Sequence, residues 1–378
     1  MLEIVDMYHD HRVSKDFFSA CFRGFISVCG VTDIINQASV VFNKDYIADI
    51  LAMIPFCSDM ISIICELDSS EKRYWEKALI GYSYDGDNNV LQFVTDKLTK
   101  HQRYASAVNI VGNSDFERVF SVEQICSLLQ NAGTKKSVGN EKIDEHAVQK
   151  LIGWLQKQDT VSIETLSDIE FIYLPVLGHH SGVEPKAIRI RLGLDADYFC
   201  NMMETVYRRK TDKSTGNKLS KELSNRFYRI LFEYNAVPGV TWDGVFNEKL
   251  FAEWMGKVVP WSKENDRYEV TMHTIGAGLS YSTNSDSEFP PERIVTELNK
   301  PENEELRRGY LIGLSNQRGV HTVDPEGKPE LELAERFDKL ANKAENMGYT
   351  RYSEVLRELS SQYRDEAQRI IEENNSDL

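Results

Sequence analysis

At 378 residues the chain is too long for one simple core, which rarely grows past about 250 to 300 residues, and at 41% hydrophobic it is too apolar to be disordered. Its 59 Asp and Glu against 44 Lys and Arg leave a net charge of -15, the wrong sign for a protein whose main partner is a phosphate backbone. The most apolar stretch, YIADILAMIPFCSDMISIICELD at 46–68, is broken by Asp49, Pro55 and Asp59, so it falls short of the roughly 20 apolar residues that span a bilayer and argues against a membrane partner.

The N-terminal MLEIVDMYHDH carries acids where a signal peptide carries lysines. Its His9 and His11 form an H-x-H beside Asp6 and Asp10, but no later H-x-x-x-H or D-x-D completes a metal set, and the stretch reads as a loop or frayed helix. Six cysteines are scattered at spacings of eight or more without a C-x-x-C pair, each in an apolar neighbourhood. Reduced, buried thiols and a cytoplasmic location are expected.

From residue 14 onward the apolar residues recur near every 3.6 positions, and strand-like alternation is scarce, so the predicted class is all-α. SKDFFSACFRGFISVC, at 14–29, places Phe17, Phe18, Cys21, Phe22, Phe25 and Ile26 at helical spacing. Two short helices broken at Pro55 are expected within 46–67, and a further helix at 69–80. Helices then follow at about 88–98, 102–111 and 121–131, the last opened by a capping-box pair, Ser121 and Gln124.

After the loop KSVGNEK come HAVQKLIGWLQK, SIETLSDIEFIYLPVL, PKAIRIRLG with Pro185 at its start, and DADYFCNMMETVYRR capped by Asp195. Short helices joined by short polar connections predict an irregular α-solenoid-like stack of antiparallel helix pairs. No exact repeat at 34 or 40 residues supports a regular array. The basic stretch RRKTDKSTGNKLSKE, 208–222, is the best internal boundary and divides the chain into N-terminal (1–210) and C-terminal (211–378) helical domains.

The C-terminal domain continues with KELSNRFYRILFEYN, NEKLFAEWMGKVV, RYEVTMHTIGAGLSY and ERIVTELN, which follows Pro290 and Pro291. NEELRRGYLIGLSN is a helix ended by Gly319, and DPEG is a turn. LELAERFDKLANKAENMG and YSEVLRELSSQYRDEAQRII then form a long helical hairpin around Gly348. Its single apolar face must bury against something, and Leu306, Tyr310, Leu311 and Leu314 of the preceding helix are the expected partners.

The chain contains no G-x-S-x-G, H-E-x-x-H, Walker A or strand-borne G-x-G-x-x-G motif. Gly276 and Gly278 suit close helix approach better than a phosphate cradle. The cations Arg208 to Lys221 lack interleaved aromatics and read as a solvated linker rather than a single-strand platform. Trp261, following Pro260, is the tryptophan expected to be exposed. In GLSNQRGVHTVDPEGKPE, 313–330, Arg318 and His321 flank Gly319, and Asn316 is placed to cap the last carbonyls. With no nucleophile beside a base, this loop is a helix-ending connection with a recognition role.

GLSNQRGV, LAERFDKLANKAENMG and YSEVLRELSSQYRDEA together resemble the C-terminal part of large bacterial multidomain proteins, and the similarity reaches back through FIYLPVL and the METVYRR helix to about residue 150. The resemblance implies a helical module that accompanies an effector or ATPase domain in proteins with suspected antiphage or stress roles. It carries over no catalytic residue. This chain has no such effector segment, so it is expected to depend on another subunit or to be a piece of a longer protein.

The expected function is therefore a non-enzymatic protein–protein interaction, sensor or scaffold module without a cofactor or metal. Its partner is another protein subunit or effector domain, and its candidate binding residues are Arg318, His321, Asn316, His179, His180 and Trp261. The alternative is a metal-dependent hydrolase or nuclease subunit using His179, His180 or His321; a third reading is nucleic-acid binding through Arg208 to Lys221.

Overall fold

The computed structural model describes residues 30–378 apart from 41, 81–86, 140, 179–180, 210, 212–220, 284–288, 320–322 and 377–378, together with isolated positions before residue 30. The described residues form 18 α-helices and no strand, with 71% of the chain helical, so the fold is all-α. They divide into two compact units, Met1–Pro185 and Lys186–Leu378, each with its own core. The basic stretch expected to mark the boundary lies mostly outside the described residues.

The first unit runs α1 (Val31–Ser39), α2 (Lys44–Leu51), α3 (Ile61–Cys65), α4 (Glu71–Lys77), α5 (Asn88–Lys100), α6 (Tyr104–Gly112), α7 (Val122–Thr134), α8 (Glu145–Leu155) and α9 (Ile163–Ile172). Side-chain caps set several starts. Asn43 accepts from the Tyr46 amide, Asp87 from Asn89, Asp144 from His146 and Ser162 from Thr165. Ser121 and Gln124 close the expected capping box.

The core of this unit forms around α6, whose nine residues are all buried and which packs against α5, α7 and α8. Trp75 and Tyr74 of α4 are fully buried edge-to-face, with centroids 5.0 Å apart. Arg103, 3% exposed, donates to the carbonyls of Ala78 at 2.7 Å and Trp75 at 3.1 Å and pairs with Glu141, so a buried cation satisfies the carbonyls that α4 leaves open.

The second unit runs α10 (Lys186–Leu194), α11 (Ala196–Val206), α12 (Lys221–Phe232), α13 (Glu248–Glu264), α14 (Tyr268–Leu279), α15 (Glu292–Asn299), α16 (Glu304–Asn316), α17 (Lys328–Asn346) and α18 (Thr350–Ser376). Asp195 caps α11 as expected. Phe199 lies against Trp254 at 4.9 Å and Tyr234 at 5.6 Å, and Trp254 donates its indole N–H to the Leu192 carbonyl at 3.1 Å. These contacts gather α10, α11, α13 and the residues after α12 into one core.

α14 and α16 run in the same direction, with α15 between them in the chain. A Cβ built on Gly276 would overlap the Leu306 carbonyl oxygen, one on Gly309 the His273 carbonyl oxygen, and one on Gly313 would sit 2.7 Å from that of Ala277. The partners advance together along both helices, and glycines let the two backbones touch. The expected close helix approach holds for Gly276, whereas Gly278 meets the Ala236 carbonyl and the Tyr234 ring in the connection after α12.

α17 and α18 are the long hairpin, turned at Gly348 with φ +86°. Arg357 pairs with Glu345, Arg364 with Asp338, and Ser360 Oγ donates to the Ala334 carbonyl at 2.8 Å, so the two helices run in opposite directions. Their apolar face meets α16 through Tyr310 and Tyr352, whose rings lie 5.8 Å apart edge-to-face. That is the expected partner.

Two expectations need correction. Helix α13 continues through Pro260 to Glu264, and Trp261 on it is half-buried rather than exposed. Among the described cysteines Cys126 and Cys200 are buried, with the Cys200 thiol pushed up to about 12 by burial, but Cys65 is exposed.

Candidate functional site

The end of α16 carries two of the residues the sequence singles out, Asn316 and Arg318. Gly319 takes φ +62° and its N–H reaches the Asn316 carbonyl at 3.3 Å, the left-handed stop expected there. Gly327 N–H then bonds the Asp324 carbonyl at 2.9 Å to close the DPEG turn. Asn316 is exposed as the last residue of α16.

Arg318 points inward instead. Its side chain is 12% exposed, pairs with Glu330 at the start of α17, and donates to Glu366 of α18 at 3.1 Å. Glu330 is fully buried and Glu366 is 31% exposed at its side chain. One cation thus joins three helices, held by two carboxylates.

The guanidinium also lies over the Tyr363 ring, 5.4 Å from its centroid, and Tyr363 stacks on Phe337 at 5.9 Å and 13°. Arg336 covers Phe337 from its own helix at 5.8 Å. Cation, ring, ring and cation form a four-layer stack across the hairpin.

Beside this stack lies a cavity of about 230 Å³ between α16, α17 and α18. Its walls are Leu314, Leu333, Phe337, Leu340 and Leu356, and its polar lining includes Tyr310, Tyr352, Gln317, Arg318 and Arg336. Tyr310 and Tyr352 are buried and their hydroxyls are 3.3 Å apart. Burial pushes the Tyr310 hydroxyl up to about 12 and that of Tyr352 well above its ordinary value, so both stay protonated at neutral pH.

A second feature lies on α12. Ile230 and Leu231 turn inward and are buried, whereas Tyr228 and Phe232, one turn apart, are 52% and 73% exposed. Their rings stack with centroids 5.6 Å apart and 22° between planes. Arg229 and Glu233, paired at 3.2 Å, flank them. Neither ring was singled out in the sequence, since Phe227, Tyr228, Ile230, Leu231 and Phe232 crowd the helix and periodicity alone does not say which point out.

Trp261 belongs to α13, while His179, His180 and His321 lie outside the described residues. Among the described residues no three His, Cys, Asp or Glu side chains are grouped to hold a metal ion, and no helix is long and apolar enough to cross a membrane. Glu330 and Glu366 carried one legible signal: Glu330 falls on the same stripe as Ala334, Phe337, Ala341 and Ala344, and a carboxylate on a buried stripe requires a cationic partner. Compared with family models, curated proteins and solved structures, this chain matches none.

Proposed function

We propose that the chain is a protein–protein interaction module whose docking surface includes the face of α12 that carries Tyr228 and Phe232. The observation that supports it is the pair itself: two large rings, stacked on each other and more than half exposed, on a helix whose Ile230 and Leu231 are buried. Exposed aromatics are the residue type most enriched at the centres of interfaces, because they remove much area from water for few frozen torsions. The partner offers an apolar side chain to the two rings and polar groups to Arg229 and Glu233. Following the resemblance of the C-terminal helices, that partner is an effector subunit of a bacterial defence or stress system.

The test is chemical crosslinking and affinity purification of the tagged chain from its host, with and without phage challenge, beside a Tyr228→Ser, Phe232→Ser variant. The expected result is a stoichiometric partner recovered with the wild type and lost with the variant, whose helicity and melting temperature are unchanged. Recovery of no partner, or of one indifferent to the double substitution, would overturn the proposal. A stoichiometric metal ion in partner-free protein would instead favour a hydrolase built on His179, His180 or His321.

A further inference from the structure

We infer that the cavity between α16, α17 and α18 binds a small uncharged aromatic molecule carrying a carbonyl oxygen. Size sets the first bound. A cavity of about 150 Å³ holds benzene, so 230 Å³ accommodates one ring with a short substituent. The leucine walls and the Phe337 ring suit an aromatic body rather than a sugar or a phosphate.

Hydrogen-bond bookkeeping supplies the carbonyl. Each of the two tyrosine hydroxyls carries one hydrogen, and the pair shares a single hydrogen bond that is long for two oxygens. Whichever hydroxyl donates, the other keeps a hydrogen with no acceptor among the described residues. Both residues line the cavity, and buried donors are satisfied in folded proteins by protein, water or ligand. A carbonyl oxygen is the acceptor that completes the set.

Charge supplies the last restriction. Arg318 is already matched by Glu330 and Glu366, and the other lining cation, Arg336, is exposed at the rim, so the buried part of the cavity offers a carboxylate no fresh cation to offset its desolvation. Gln317 and Arg336 are exposed at the rim, which leaves a way in for a ligand.

The experiment is saturation-transfer NMR titration of the full chain with acetophenone, ethylbenzene and benzoate, repeated on Tyr310→Phe, Tyr352→Phe and the double variant. Acetophenone is expected to bind saturably to the wild type. Ethylbenzene, and acetophenone with the double variant, are expected to bind about tenfold more weakly for want of one hydrogen bond. Each single variant is expected to stay within about twofold, because removing one hydroxyl frees the other to donate to the ligand. A structural role for the pair would not produce that pattern. Leu340→Trp, which fills the cavity, should abolish binding; should it fail to fold, the double variant, which keeps every ring in place, still decides. Absence of saturable acetophenone binding, meaning that the cavity holds water only, overturns the inference, as does equal affinity for ethylbenzene or tighter binding of benzoate.

Discussion

A single carbon atom added at Gly309 has nowhere to go, because the His273 carbonyl oxygen of α14 occupies that space and backbone cannot swing aside as a side chain can. Alanine in place of a helical glycine is worth about 1 kcal/mol through propensity, but forcing two touching helices apart costs about 1 to 3 kcal/mol or more. Gly309→Ala is therefore expected to lower stability by roughly 2 kcal/mol in urea unfolding. Gly256, exposed on α13 with no atom within 4 Å of its added Cβ, provides the opposite sign. Gly256→Ala should raise stability by about 0.5 to 1 kcal/mol, and a loss there would show that the two glycines were misassigned. The Arg318 cluster obeys the same logic of burial. Arg318→Met removes one member of an ion pair whose other member, Glu330, is fully buried, and is expected to cost about 3 to 5 kcal/mol. Glu366→Gln, at a carboxylate 31% exposed, should cost less than about 1 kcal/mol. Equal losses would mean that Glu330 does not depend on Arg318.

At the scale of elements, helix α13 shows what a sequence reading gets wrong and why. Proline forfeits one backbone hydrogen bond and crowds the carbonyl four residues earlier, so 260 is a natural place to expect an end. The helix persists because Trp254, Met255 and Val258 before Pro260 and Ser262 after it are all buried, while Pro260 itself faces solvent next to Gly256. Tertiary burial outweighs one local penalty. Pro260→Ala should then restore the missing bond and stabilise by about 2 to 2.5 kcal/mol, being the ~3 kcal/mol helical cost of proline less the roughly 0.4 to 1 kcal/mol that proline saves by stiffening the unfolded chain. Destabilisation on thermal melting would show that α13 needs the break. Elsewhere local chemistry was legible: Ser121 with Gln124, Asp195, Gly319 and the DPEG turn sit as their residue types demand. What the sequence hides is juxtaposition. Arg318 meets carboxylates 12 and 48 residues away, and the cavity exists only once three helices converge, so neither has a local pattern to be read. The exposed pair on α12 was hidden differently, by an excess of apolar residues on one helix.

For the molecule as a whole, acid acts on each unit through that unit's own depressed carboxylates, Asp49 and Glu71 in the first and Asp243 and Glu345 in the second. In Met1–Pro185, Asp49 of α2 accepts from Arg73 at 2.8 Å and Lys77 at 2.7 Å of α4, and Glu71 of α4 takes Lys97 of α5 and the Trp75 indole. The Arg73 hydrogen bond leads in lowering the Asp49 carboxyl below its ordinary 3.8; for Glu71, burial raises the value but the bonds from Lys97 and Trp75 outweigh it and hold it below 4.5. A carboxylate whose folded value is depressed contributes stability above its unfolded value and loses it as pH falls through the folded one. The two pairs are thus fully effective at neutral pH and fail together below about pH 4.5, loosening α2, α4 and α5 at once. Arg73 and Lys77 are about half exposed, so screening limits the Asp49 contribution to roughly 0.5 to 1 kcal/mol, the range of partly exposed ion pairs. Comparing urea unfolding of fragments 1–185 and 186–378 at pH 7 and pH 3 isolates the effect. Asp49→Asn in the first fragment is expected to cost that amount at pH 7 and less at pH 3, which lies below the ordinary carboxyl value of 3.8, where protonation of the unfolded chain already erodes the contribution. A cost that persists unchanged at pH 3 would mean that Asp49 holds the helices by shape and neutral hydrogen bonds, and that the acid response of this unit arises elsewhere among its carboxylates.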